Sequence, residues 1–379
     1  MRIAWITTGF YDEKKGHDGG AFIHDLACEL ASLEGADLTI FSLYHPVNKP
    51  QYDFRRAKVF SFAVKDNTSK FEKLAVWRRC IRKFKEENNY NKFDIIHSMW
   101  AGESGLISSH LSRKHHIPLA VNICGGELAY YPDINYGSRT KFWQKRFVDR
   151  SFKCADVIVS GSNFIAGLLK KYYNEEISKK TIIIPFGVDS ALFHPEGEKS
   201  SLNHPLTLIN ISNVSHVKDH KTLLKSLLIV REKFPDVMLS HYGKDEKNLL
   251  KEMVDKYKLG NNVQLNGFIE YQQIQLELKK ADIFVLSSMY ESQNMAIIEA
   301  AFCGLPVVST DAGAVREITP NIVPPGDSDS LARMIVKTAE NLKEEKKKAV
   351  SKIEFLEANF SLKASAQKFL ELYRSLVPE

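Results

Sequence analysis

No run of 18 or more apolar residues occurs in the chain, which excludes a transmembrane helix of ordinary length. The first residues, Met1-Arg2-Ile3-Ala4-Trp5-Ile6, give way at once to Gly9 and charged residues. They lack the apolar core and small-residue cleavage site of a secretion signal, and read instead as a first buried strand. Cysteine is sparse: Cys28, Cys80, Cys124, Cys154 and Cys303 include no C-x-x-C pair and no histidine spacing suited to zinc. An odd count with no export signal leads to the expectation of reduced thiols and a cytoplasmic protein. Internal repeats and low-complexity tracts are absent, and a net charge of +6 is too small to imply a nucleic-acid partner. Asp327-Ser328-Asp329 spells D-x-D, but it sits in a Pro-Gly loop and reads as a helix cap, so no metal is expected.

What is present fits a soluble globular chain, with 44% apolar and 26% charged residues. At 379 residues it is too long for one ordinary core and suits two domains. Alternating strand and helix patterns run through both halves, which indicates two Rossmann-like α/β domains.

The most informative stretch is Ala281 to Ile318. Ile283-Phe284-Val285-Leu286 and Leu305-Pro306-Val307-Val308 read as neighbouring buried parallel strands. Between them a helix is expected from about Asn294 to Cys303, capped by Ser292 or Asn294 and stopped by Gly304-Leu305-Pro306. Glu299 is the only charge on that helix, and burying it unpaired would be costly, so it needs a partner. Glu291 lies at the strand's carboxyl end, before a helix N-terminus that favours anions. Two acids flanking such a helix end suit either a structural salt bridge or a ligand with hydroxyls and phosphates, such as a nucleotide sugar.

Glu291 and Glu299, with seven residues between them, followed by Ala300, Gly304, Pro306-Val307-Val308, Gly313 and Glu317, resemble the E-x7-E segment of retaining GT-B glycosyltransferases of family 4, the glycosyl transferases group 1. Where that family usually has Gly-Phe-Gly after the first glutamate, this chain has Ser292-Gln293-Asn294. The resemblance implies two Rossmann-like domains facing across a cleft. It also implies transfer of a hexose-type sugar from a nucleoside diphosphate sugar to an acceptor hydroxyl, with retention and without a required metal or other cofactor. The acceptor is expected to be a glycan or lipid-linked molecule, in polysaccharide or glycolipid assembly.

Further residues enter through the same resemblance. Gly19 and Gly20 match an N-terminal Gly-Gly loop near the transferring sugar. His97 and Trp100 follow a strand ending Asp94-Ile95-Ile96-His97 on the acceptor side. Cys124 and Gly125 stand where the family has His-Gly, and Glu127 either supplies the missing catalytic contact or closes a loop. Ile184-Pro185-Phe186-Gly187-Val188-Asp189 resembles the family's crossing between domains.

In the second half, Lys218 matches the pyrophosphate lysine, and Asn213 stands where an arginine is usual. Gly267 and Phe268 resemble the loop that borders the base. Glu291, Gln293, Asn294 and Met295 are expected to hold the sugar and Glu299 the ribose. Lys218 and Glu291 carry the catalytic roles, with Glu127 as a third candidate.

The expected domains are 1–195 for the acceptor, joined by a closing helix over 360–379, and 196–359 for the donor. Basic helices over 70–92 and 141–154 read either as solvated surface or as a face for anionic lipid, placing the protein peripherally at the inner side of a membrane. A nucleotide-sugar epimerase and a non-catalytic hinged sugar-binding protein are the rival readings.

Overall fold

The computed structural model describes residues 1–10, 21–44, 49–62, 69–195 and 205–377. They divide into two compact units, Met1–Gly187 with Leu362–Glu379, and Val188–Ser361.

The first unit begins β1 (Arg2–Thr7), α1 (Ala21–Ser32), β2 (Asp37–Ser42), β3 (Gln51–Phe54), β4 (Ala57–Ser61) and α2 (Lys70–Tyr90). It continues with β5 (Ile95–Ser98), α3 (Glu103–His115), β6 (Leu119–Ile123), α4 (Phe142–Cys154), β7 (Val157–Ser160), α5 (Asn163–Tyr172), α6 (Glu175–Lys179) and β8 (Thr181–Ile183). Its sheet runs β3-β4-β2-β1-β5-β6-β7-β8, parallel throughout except for the β3–β4 hairpin. All six residues of β1 are buried, the signature of a strand covered on both faces.

The second unit carries β9 (Thr207–Ile211), α7 (His220–Lys233), β10 (Met238–Tyr242), α8 (Leu249–Lys256), β11 (Val263–Leu265), α9 (Tyr271–Lys280) and β12 (Ile283–Leu286). Then come α10 (Met295–Phe302), β13 (Val307–Thr310), α11 (Val315–Ile318), β14 (Ile322–Val323), α12 (Ser328–Glu340), α13 (Leu342–Val350) and α14 (Ile353–Phe360). The parallel sheet order is β11-β10-β9-β12-β13-β14. Successive β12 residues alternate between two cores: Ile283 and Val285 face one, Phe284 and Leu286 the other.

Both sheets reverse winding once, between β1 and β5 and between β9 and β12, and loops beyond the carboxyl ends of such a switch point are where α/β sheets hold ligands. The last helix, α15 (Leu362–Leu376), completes the first unit. There the Tyr373 hydroxyl accepts from Trp5 Nε1 at 3.1 Å and bonds His97 Nδ1 at 2.5 Å.

Two boundaries differ from the sequence reading. The division between units falls at Gly187 and Val188, ahead of Pro195, because Val188 and Phe193 are buried in the second unit's core and Val188 N–H bonds the Phe360 carbonyl at 2.9 Å. In the sequence, the residues after β2 read as a third strand over 59–64; β4 ends at Ser61, with 63 and 64 outside the described residues, and it is preceded by the unforeseen β3. Their turn uses Arg55 at φ +53°, without the glycine or asparagine that would announce it.

Candidate active site

Buried β12 delivers the chain to Ser287 and Ser288, which fasten the site's floor. Ser287 Oγ donates to the Lys218 carbonyl at 2.9 Å, Met289 N–H to the Val217 carbonyl at 2.8 Å, and Thr310 Oγ1 to the Ser288 carbonyl at 2.7 Å. The loop after β9 is thereby tied to the loop after β12. Glu291 follows, its side chain 10% exposed, and its Oε1 takes three donors: Lys218 Nζ at 2.6 Å, Ser288 Oγ at 2.7 Å and Asn294 Nδ2 at 2.9 Å. Oε2 makes no hydrogen bond among the described residues. The charge is balanced, and half of the carboxylate's accepting capacity stays open.

Asn294 caps α10 from φ +72°, where L side chains are disfavoured. Its amide serves both sides, with Oδ1 accepting from Ile297 N–H at 3.1 Å while Nδ2 donates to Glu291. Gly313, at φ +68°, lets the next loop lie against this turn, and Ala314 N–H bonds the Gln293 carbonyl at 2.9 Å. Gln293 is buried, with Nε2 3.8 Å from Met295 Sδ. Glu299 is buried on α10 among Ile297, Ile298 and Ala300. The expected helix and its asparagine cap are both present.

Lys218 ends a single 3-10 turn, His216–Lys218, and Asp219 at φ +45° then caps α7 by accepting from Thr222 N–H at 3.2 Å. Asn213 is exposed, with Oδ1 accepting from Lys244 N–H at 2.9 Å. Gly243 lies so near Ser212 that a Cβ there would meet the Ser212 carbonyl oxygen at 2.0 Å, and its N–H bonds the Gly267 carbonyl at 2.8 Å. Phe268 is 45% exposed with Lys244 Nζ 5.3 Å from its ring centre. Asn213, Gly267 and Phe268 therefore form one rim, joined through Gly243 and Lys244.

Lys244 and Ser288 went unnoticed in the sequence; the glycine after β10 is the only local signal for the former. Also unnoticed were His220 and His241, buried with rings 4.9 Å apart. Burial and neighbouring charge hold His220 at about 3, and burial holds His241 at about 4, so both are neutral and Lys218 supplies the cation here.

The first unit corrects one expectation and gives the local form of another. His97 does not face an acceptor: it is fully buried, Nδ1 on Tyr373 and Nε2 2.7 Å from Asn122 Oδ1, and burial lowers its pKa to about 4. Glu127 takes the second of its two expected roles and closes a loop. It is 3% exposed, and both oxygens are committed to backbone amides, Oε2 to Gly125 at 2.8 Å and Oε1 to Cys124 at 3.3 Å and Ala101 at 3.4 Å. Burial raises its pKa while those amides oppose the rise, as befits a loop-closing carboxylate.

Trp100, Cys124 and Gly125 are partly exposed beside it. The Cys124 thiol donates to the Met99 carbonyl, and the Trp100 indole nitrogen lies 3.6 Å from where a Gly125 Cβ would stand. Gly19 and Gly20 lie outside the described residues. Among those residues no group of three or more metal-ligating side chains occurs, and no helix is long and apolar enough to cross a membrane.

Two parallel α/β units, each with a single switch point, are the architecture of GT-B glycosyltransferases, and solved structures agree. Sucrose-phosphate synthase from Thermosynechococcus elongatus superposes with a TM-score of 0.81 at 19% identity, over 99% of this chain and 98% of that one. Anabaena HepE, solved with UDP-glucose, gives 0.72 at 18% identity, over 99% and 100%. Residues 19–192 match the family described as Glycosyltransferase Family 4, and residues 196–353 match Glycosyl transferases group 1. The chain belongs to the group 1 glycosyltransferases.

Among curated relatives, a phosphatidylinositol N-acetylglucosaminyltransferase subunit from Arabidopsis thaliana is 32% identical over 162 residues, 42% of this chain and 36% of the relative. Alpha-monoglucosyldiacylglycerol synthase of Streptococcus pneumoniae is 24% identical over 231 residues, 58% and 52%. The chain thus matches only about a third to a half of these relatives' length.

Proposed function

We propose that this chain transfers a hexose-type sugar from a nucleoside diphosphate sugar to an acceptor hydroxyl, with retention of anomeric configuration, in glycolipid or polysaccharide assembly. The observation that carries the reading is the Glu291 carboxylate, fixed through one oxygen by Lys218, Ser288 and Asn294 and open through the other. An open, oriented acceptor beside a cation suits a ligand with sugar hydroxyls next to phosphates. On this reading Lys218 passes from Glu291 to the diphosphate, where negative charge grows as the sugar leaves, and such preorganised charge is usually the largest catalytic contribution. Glu291 and the first amides of α10 hold the sugar, and Glu299 holds the ribose. No metal is needed for the phosphates.

The acceptor is proposed to be lipid-linked. Two relatives bear the names of glycolipid-forming enzymes. In the first unit Phe71, Leu74, Phe142 and Trp143 are all exposed on helices rich in lysine and arginine, a composition that suits peripheral contact with an anionic membrane. None of the five cysteines forms a disulfide among the described residues, in keeping with a reducing compartment such as the cytoplasm.

Calorimetric titration with UDP, GDP and ADP tests the donor assignment. Glu299→Gln is expected to weaken the preferred nucleotide by about one to two decades, the worth of a hydrogen bond to a charged group. Glu291→Gln is expected to bind it nearly unchanged while turnover with the nucleotide sugar falls. The reverse pattern would overturn the two roles, and no binding of any nucleotide would overturn the reading itself.

A further inference from the structure

Basic groups converge at a second place, in the first unit, that the proposed reaction does not use. On α3, Leu106, His110, Arg113 and Lys114 fall on one helix face, and with Arg150 of α4 they line a cavity of about 400 Å³ that contains no acid. The two helices are drawn together where Gly105 meets Ser151; a Cβ at Gly105 would stand 2.4 Å from Ser151 Oγ, and Arg150 is the next residue back along α4. From α2, Lys85 approaches Lys114, whose contact and charge hold Lys85 below its usual pKa. Burial, then the charges of Lys114 and Lys85, lowers His110 as well.

The carboxylates of these helices are engaged elsewhere. Glu72 closes the capping box at Ser69, Glu86 and Glu87 pair with Lys83, and Glu87 also takes Arg2 and Lys58. Glu103 pairs with Lys73, and Asp149 with Lys145. Among the described residues no acid pairs with Arg113, Lys114 or Arg150. The α3 dipole explains basic residues in its own last turn, but not Arg150 and Lys85 arriving from two other helices.

We propose that this concavity binds a phosphate-type anion, a phosphate mono- or diester, held by Arg113, Lys114 and Arg150, with His110 as a further donor and Leu106 as the apolar wall. Arginine presents a planar fork that matches phosphate oxygens two at a time, and two arginines from different helices fix the anion's position. The phosphate comes either from a soluble compound or from a lipid headgroup.

The full chain is titrated with inorganic phosphate against chloride at matched ionic strength, and sedimented with phosphatidylcholine vesicles with and without phosphatidylglycerol. Arg113→Ala/Arg150→Ala is compared with Lys343→Ala/Lys347→Ala, which removes equal charge from an exposed face of α13 in the second unit. Saturable phosphate binding that weakens roughly tenfold or more only in the first variant supports the site with a soluble ligand. Selective loss of sedimentation with anionic vesicles supports it with a lipid ligand. Binding in neither arm, or equal loss in both variants, overturns it. UDP titration of the same variants keeps this outcome separate from that of the donor site.

Discussion

Gly313 stands against Glu291 so closely that a Cβ placed on it would lie 2.9 Å from the Glu291 Cβ and 2.5 Å from the Gln293 carbonyl oxygen. The turn that aims Glu291 thus depends on a missing methyl group in another loop. Gly313→Ala adds a left-handed alanine, about 1 kcal/mol, to an overpacked contact of about 1–3 kcal/mol. Urea unfolding is expected to register a loss of about 2–4 kcal/mol, with turnover falling further than stability alone dictates. Unchanged turnover would show that the turn does not position Glu291.

Lys218→Ala leaves Glu291 with Ser288 and Asn294 alone. Turnover is expected to fall by roughly 10²–10³, the range for removing one preorganised charge-stabilising donor, with Lys218→Arg recovering part of it. With lysine in this role, EDTA is expected to leave the initial rate unchanged. Activity abolished by EDTA and restored by manganese would move the phosphate role from Lys218 to a metal.

His97, at about 4, and His241, also at about 4, sit below the unperturbed histidine value of about 6.5. Between those values the unfolded chain binds protons that the folded chain refuses, so stability rises with pH there. It is complete above about pH 6.5 and is lost as pH falls toward 4. Denaturant midpoints across this window should show the slope, and His97→Gln should flatten the part that belongs to the first unit. A slope that the variant leaves untouched would assign it to other groups.

Phe142 and Trp143 are 64% and 67% exposed at the start of α4, beside Lys141, Lys145 and Arg146. Phe142→Ser/Trp143→Ser is expected to reduce flotation with anionic liposomes severalfold while leaving nucleotide affinity intact. Salt should weaken the wild-type interaction, since part of it is screened charge. Equal recovery with neutral and anionic lipid would remove the membrane from the account.

The second unit was far more legible in the sequence than the first. Strand, acid, cap and glycine lie within one short stretch there, so Glu291, Asn294 and the buried Glu299 are local features of a single β–α–β passage. His97 misled because its role is set from a distance, by Tyr373 on the last helix, and Glu127 kept two readings because one of its amides, from Ala101, comes from another loop. Neither Tyr373 nor Ala101 is visible in the residues around them, although Gly125 and Cys124 are next to Glu127 in sequence. Lys244 escaped notice for a related reason, since what joins it to Asn213 and Phe268 is a tertiary contact between successive loops.

Trp5 and Tyr373 are 368 positions apart, yet one hydrogen bond joins them inside one core. A ribosome emits β1 before the whole of the second unit and α15 after it. The first unit therefore waits, its Trp5 and His97 lacking their hydroxyl, until α15 has emerged, whereas the second can close as soon as its own strands emerge. Non-local closure of this kind is slow, and the exposed intermediate is prone to aggregate. The order of folding is thus expected to run opposite to the order of translation, and a chain stopped before Leu362 would release a finished second unit attached to an unfinished first.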